Sequence, residues 1–239
     1  MLQSEALFTD VSVKEFTVIK QAVISTLMVV GMLSGTASAN VVLDATIVDG
    51  DNCADLLNGA GTACGNRALT TKSQGGYTGI GIAGGRTNGE IDIDETLTVT
   101  FTAEEIISSI TLGLLFDGPE YRDWREIAQI TAGDMVGTLT VNSATQATWS
   151  MGGSETTITA LGDAIAGQGA VWQILNPFGN TLVDVLAFTA LESNLCHTGN
   201  TCSNQSDFTV VEIATVPEPG SLALLGLGLV GLGLARRRQ

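Results

Sequence analysis

Short runs that alternate apolar with polar residues, separated by turn residues, dominate the chain between residues 40 and 216. In IDIDETLTVTF (residues 91–101), every second residue from Ile91 to Phe101 except Glu95 is apolar and falls on one side of an extended backbone. Gly-rich or Asx-rich breaks separate nearly all of these runs. The runs are residues 41–48, 77–83, 91–101, 108–116, 135–141, 146–151, 156–161, 170–175, 181–191 and 207–213. The pattern predicts an all-β domain over residues 40–215, an antiparallel β-sandwich or jelly roll.

Two short segments of this region favour a helix instead. AEEII (residues 103–107) and DWREIA (residues 123–128) lack alternation and contain good helix formers, each enough for one turn. Trp172 alternates with apolar neighbours in AVWQIL, so we expect it in the core.

The predicted domain is strongly acidic, with 21 acidic and 5 basic residues between residues 40 and 217. Such a surface repels nucleic acid and anionic lipid, so we expect no nucleic-acid partner. It attracts cations, Ca²⁺ included.

The N-terminal segment predicts export. An apolar run, residues 22–33, is followed by small residues and by Ala37-Ser38-Ala39, an A-x-A cleavage site. Residues 1–39 are therefore expected to be a signal peptide with a helical apolar part, handled by the Sec machinery and cleaved after Ala39. The acidic residues before residue 18 do not suit a signal peptide, so we expect translation to start at Val18, without residues 1–17.

The C-terminal segment, residues 216–239, has three features in order: V-P-E-P, an apolar run of about 15 residues, and a basic cluster. A run of this length is at the lower limit for crossing a bilayer, and the cluster would stay on the cytoplasmic side. The motif residues are Val216, Pro217, Glu218 and Pro219, and the basic residues are Arg236, Arg237 and Arg238.

This order of parts resembles the PEP-CTERM sorting signal of Gram-negative bacteria. The resemblance implies that an exosortase, a membrane protease-transpeptidase, removes the tail near Pro217–Pro219 after a transient stay in the inner membrane. The protein would then be secreted or held at the cell surface. The segments GGRTNGEIDIDETLTVTF, LLFDGPEYRDW and DFTVVEI are similar to parts of other PEP-CTERM proteins. That similarity implies a jelly-roll domain, often associated with exopolysaccharide and with biofilm or floc formation.

Four cysteines, Cys53, Cys64, Cys196 and Cys202, lie in the exported part, where an even number favours disulfides. Three connectivities are open. We expect the local pairs Cys53–Cys64 and Cys196–Cys202, with a zinc site as the rival interpretation.

No G-x-S-x-G, H-E-x-x-H or Walker-type motif occurs, and acidic pairs such as Asp92 with Glu95 arise by chance in so acidic a chain. The prediction is therefore a non-catalytic protein, with a polysaccharide-active enzyme as an alternative. Oxygen-rich loops favour Ca²⁺ as the candidate cofactor. The candidate ligands are Asp92, Asp94, Glu95 and Asp117; capping of turns by these acids is the competing interpretation.

Tyr121 and Trp124 lie in the polar segment PEYRDWRE, which favours exposed rings of the kind that stack on sugars. They are the candidate glycan-binding residues. The sequence thus predicts an extracellular-matrix protein, with a carbohydrate-binding module, calcium-dependent or not, as the alternative.

Overall fold

The computed structural model describes residues 39–117, 125–161, 170–192 and 206–216. Within these ranges the chain forms fourteen β-strands and two short 3-10 turns, Ala45–Ile47 and Leu57–Gly59. The strands are β1 (Asn40–Asp44), β2 (Cys53–Asp55), β3 (Gly61–Gly65), β4 (Leu69–Gln74), β5 (Tyr77–Ile82), β6 (Ile91–Asp92), β7 (Leu97–Leu115), β8 (Ile127–Ala132), β9 (Met135–Ser143), β10 (Gln146–Met151), β11 (Ser154–Thr159), β12 (Ala170–Leu175), β13 (Leu182–Leu191) and β14 (Asp207–Thr215). The predicted all-β class is confirmed.

The strands form one large antiparallel sheet. Its main path runs β11-β10-β9-β8-β13-β7-β14-β5-β4, with β1 and β6 paired to β14, β12 and β3 to β7, and β2 to β3. In the described part of the chain, no helix is long and apolar enough to cross a membrane. The expected signal helix and C-terminal helix lie outside the described residues.

The long strand β7 joins the two halves of this network. Its first half pairs with β13 and β3, and its second half pairs with β14 and β12. The helix predicted for residues 103–107 is wrong, because these residues continue β7: Glu105 pairs with Val183, and Ile107 pairs with Thr215. Ladder hydrogen bonds and the complete burial of Ile107 outweigh the local helix preference.

The second predicted helix, residues 123–128, is also wrong where the structure describes it. Ile127 and Ala128 begin β8, and Arg125 and Glu126 precede that strand outside any helix. Ala128 is fully buried. Pairing with β9 and β13 fixes the extended backbone here.

The core consists of the inward-facing residues of these strands, as the alternation predicts. Ile91, Leu97 and Val99 are fully buried, and Phe101 nearly so. Trp172 is also fully buried, and its indole N–H donates to the carbonyl oxygen of Leu115 at 3.3 Å.

The predicted disulfide Cys53–Cys64 is present. The two residues are direct cross-strand partners in the β2–β3 pair. The disulfide therefore links the two strands of this pair, of which β3 is paired with β7. The second predicted pair, Cys196–Cys202, lies outside the described residues.

Candidate functional site

A glycine-rich loop, residues 83–89, follows β5 and lies over several buried carboxylates. The backbone takes a positive φ at Gly85 (73°) and Gly89 (92°), a region that glycine reaches without steric cost. At Gly85 the requirement is also spatial, because a Cβ there would collide with carboxylate oxygens of Asp92 and Glu95. Glycine therefore lets the loop approach these carboxylates closely.

Asp92 holds the loop in place. It lies in β6, is 2% exposed, and accepts hydrogen bonds on Oδ2 from the backbone N–H groups of Arg86 and Thr87, the latter at 3.0 Å. Burial raises the pKa of Asp92, and these two hydrogen bonds act against the rise because they favour the charged form. The loop conformation and the ionisation of this carboxyl are thus linked.

Glu95 forms the floor of the same region. Its Oε2 accepts from the backbone N–H of Asp92 at 3.1 Å, and its Oε1 lies 3.0 Å from Nη1 of Arg67. Burial raises the pKa of Glu95, with the Asp92 N–H acting against it. The Arg67 side chain is half exposed, so this ion pair sits at the edge of the protein.

Beside the loop, Glu90 and Asp207 form a buried pair of carboxyl groups. Each residue is 2% exposed, and the two side chains are hydrogen-bonded to each other. Lys72 Nζ lies 2.8 Å from Oε1 of Glu90, and the Thr87 hydroxyl donates to Oδ2 of Asp207 at 2.7 Å. Burial, followed by the charge of Asp207 and its hydrogen bond, raises the pKa of Glu90 to about 9, although Lys72 acts against the rise. Glu90 therefore carries a proton at neutral pH and donates it to Asp207.

A pocket of about 210 Å³ opens at the edge of this charged region. Asp92 contributes a buried oxygen, Oδ1, that has no hydrogen-bond partner among the described residues. The lining residues are Arg67, Gly85, Arg86, Asp92, Asp94 and Glu95. Carboxylate acceptors and guanidinium donors together can bind a small ligand rich in hydroxyl groups.

Of the four candidate calcium ligands, the structure brings three together. Asp92, Asp94 and Glu95 line the pocket, with Asp94 exposed. Asp117 lies after the end of β7, is exposed, and does not line the pocket. In the ranges that the structure describes, no group of three or more His, Cys, Asp or Glu side chains could hold a metal ion. Calcium binding stays a prediction.

Ala39 and Val216 lie at the ends of the described ranges, and both are exposed. The other predicted site residues fall outside these ranges. These are the glycan candidates Tyr121 and Trp124, the signal-cleavage residue Ala37, the cysteines Cys196 and Cys202, and the tail from Pro217 onward.

Sequence reasoning missed Lys72, Glu90 and Asp207. Glu90 and Asp207 carry no motif and are separated by more than a hundred residues, so only the tertiary structure joins them. One signal was available for Lys72, because no other lysine occurs after residue 20.

Comparison with known proteins identifies the tail. The family model of the PEP-CTERM protein-sorting motif matches residues 215–239. This is the segment in which V-P-E-P, the apolar run and the arginines predict a sorting signal. The chain therefore contains a PEP-CTERM sorting motif, which implies an exported, membrane-transiting protein with an exosortase as processing partner. No curated protein and no solved structure matches the chain.

Proposed function

We propose that this chain is a non-catalytic protein of the cell surface or extracellular matrix of a Gram-negative bacterium, associated with exopolysaccharide or biofilm. The sorting motif at residues 215–239 carries the proposal, because it delivers the domain to the outside. In the proposed scheme a signal peptide starts export, the tail anchors the protein briefly, and an exosortase releases a β-sandwich domain.

Features of the domain suit that location. The Cys53–Cys64 disulfide belongs to an oxidising compartment. The edge strand β11, SETTIT, is almost entirely exposed and polar, which keeps an unpaired edge soluble. The acidic surface limits binding to anionic lipid during and after transit.

Co-sedimentation of the secreted protein with the producer's own matrix polysaccharide tests the proposal. We expect the protein in the pellet when polysaccharide is present and in the supernatant when it is absent. A chain that is exported normally but never pellets with the polysaccharide would contradict the matrix role. Release of reducing sugars during the incubation would contradict the non-catalytic role.

A carbohydrate-binding module is the second candidate, and the pocket beside the loop at residues 83–89 favours it. The carboxyl groups of Asp92 and Asp94 line the pocket and are acceptors for hydroxyl groups, and Arg67 and Arg86 supply donors at the same pocket. Such planar, charged groups bind neighbouring hydroxyls of a sugar with paired hydrogen bonds.

A pair of matched variants separates the two candidates. Asp94→Ala removes an exposed carboxylate that lines the pocket, whereas Glu104→Ala removes an exposed carboxylate of β7 outside it. If the pocket binds the glycan, Asp94→Ala lowers co-sedimentation about tenfold, the effect of one charge-assisted hydrogen bond, and Glu104→Ala does not. Equal binding by both variants contradicts the pocket. Loss of binding in EDTA would show that calcium takes part.

A further inference from the structure

Lys72 is the only lysine after residue 20. It lies in β4, and its side chain is about one-third exposed, whereas the Glu90 side chain against which it ends is 3% exposed. The loop at residues 83–89 covers the stem of the lysine, since a Cβ on Gly89 would lie 3.3 Å from Cβ of Lys72. The only lysine of the domain thus contacts a buried carboxyl group.

Three groups meet at this point. Nζ of Lys72 lies 2.8 Å from Oε1 of Glu90. On the other side, Asp207 is hydrogen-bonded to Glu90 and is held by the hydroxyl of Thr87 at 2.7 Å. An amine, an acyl group and a second carboxyl group that can move a proton are therefore in contact, with both carboxyl groups buried and the amine partly exposed.

We propose that Lys72 and Glu90 condense to form an intramolecular amide bond, with Asp207 relaying the proton. The bond would link β4 to the residue that follows the glycine-rich loop, in addition to the Cys53–Cys64 disulfide.

The step needs no other reactant. Lys72 starts as an ammonium group and first loses one proton to solvent, which its one-third exposed side chain allows. Its Nζ then attacks Cδ of the protonated Glu90 carboxyl group, the C–N bond forms, and the C–OH bond breaks. Asp207 takes the proton from the attacking nitrogen and returns it to the departing hydroxyl, which leaves as water. One amine and one carboxylic acid give one amide and one water, with no change in oxidation state.

The environment favours this product. The Glu90 side chain is almost fully buried, where a charged carboxylate loses its hydration, whereas an amide is uncharged. The reaction occurs once per molecule, so the protein modifies itself without turning over a substrate.

Peptide mapping of the purified, secreted protein tests the proposal. After reduction and denaturation, trypsin cleaves at Arg67, Arg86 and Arg122 but not at an acylated Lys72. We expect a branched peptide that joins residues 68–86 to residues 87–122 and is lighter than its two parts by one water, about 18 Da. An amine-reactive reagent should label only the N-terminus of the denatured chain.

Two variants show the origin of the bond. Lys72→Arg keeps the positive charge but should give unbranched peptides. Asp207→Asn should keep the fold, monitored by near-ultraviolet circular dichroism, and lose most of the branched product.

Several results would overturn the proposal. Separate peptides 68–72 and 73–86 from the wild-type protein would mean that the bond does not form. Branching to the peptide that begins at residue 126 would mean that Asp207, rather than Glu90, is the acyl group. An undiminished yield of branched peptide from folded Asp207→Asn would show that Asp207 does not relay the proton.

Discussion

The strands β8 to β11 and the charged loop at residues 83–95 are built in opposite ways. The strands form a regular meander in which neighbours pair in unbroken register apart from one shift at Gln146. Its last turn uses Gly152 and Gly153, both with positive φ (57° and 81°), as a two-residue hairpin requires. The charged loop instead depends on its own carboxylates, Asp92 and Glu95, and on Asp207 from β14.

This difference shows which forces hold each region. In the meander, the Trp149 ring lies over Gly137 and meets Phe178 edge-on at 6.3 Å, so apolar packing dominates. In the loop, buried carboxylates satisfy backbone N–H groups that would otherwise lose their hydrogen bonds. The meander should therefore respond to changes in volume, and the loop to changes in charge.

Truncation of Trp149 should have the largest effect. Because this side chain is 6% exposed and fills the space above a glycine, Trp149→Ala should lower the free energy of unfolding by about 3–5 kcal/mol. Denaturant unfolding measures the loss. Thr157→Ala, on exposed β11, is the control and should stay within about 0.5 kcal/mol. A loss no larger than that of the control would mean that packing does not hold the meander.

Removal of the first disulfide should come next. Cys53 and Cys64 are 11 residues apart, so a Cys53→Ala, Cys64→Ala double variant should lose about 3 kcal/mol by the loop-entropy relation. Asn66, just after the disulfide, donates to the carbonyl oxygen of Asp94 at 3.1 Å. Amide hydrogen exchange should therefore accelerate more near the charged loop than in the meander. A larger acceleration in the meander would contradict the proposed difference between the two regions.

Loss of the loop anchor should be smaller. Asp92→Ala leaves the N–H groups of Arg86 and Thr87 without their acceptor, which should cost about 1–3 kcal/mol. Hydrogen exchange at these two amides should rise in the variant. Asp94→Ala, which removes an exposed neighbour, should leave both amides protected; equal exchange in the two variants would show that Asp92 is no anchor.

The smallest effect is a pH dependence confined to the loop, best seen in Lys72→Arg because this variant cannot form the amide. The unfolded chain releases the Glu90 proton near pH 4.5, whereas the raised pKa keeps it bound in the folded state up to about pH 9. The unfolded state therefore binds fewer protons, and stability falls as pH rises through this window.

We expect a fall of at least about 1 kcal/mol, the equivalent of nearly one pKa unit. Adding Glu90→Gln to Lys72→Arg should flatten the profile between pH 4.5 and pH 9. Thermal unfolding in a series of buffers measures it. A rise in stability over the same window would contradict the assignment of a protonated Glu90.

The sequence predicts β9 to β11 and the core well, because alternation and Gly-rich turns act over a few residues. It failed at residues 103–107 and at residues 123–128, where pairing of β7 and of β8 overrides local preference. It also did not predict β2, β3 or β4, whose Thr-, Gly- and Cys-containing stretches lack alternation. The sequence predicted only part of the candidate site. Asp92, Asp94 and Glu95 are near neighbours in sequence, but Lys72, Glu90 and Asp207 meet only through the pairing of β14 with its neighbours.

The intact mass of the exported protein, from cells with and without their exosortase, tests the central claim of sorted export most directly. With the exosortase, we expect a chain that begins at Asn40 and ends near Pro217–Pro219. Without it, the tail through Gln239 should remain on a membrane-associated form. An exported protein that keeps Arg236–Arg238 in both strains would contradict the account.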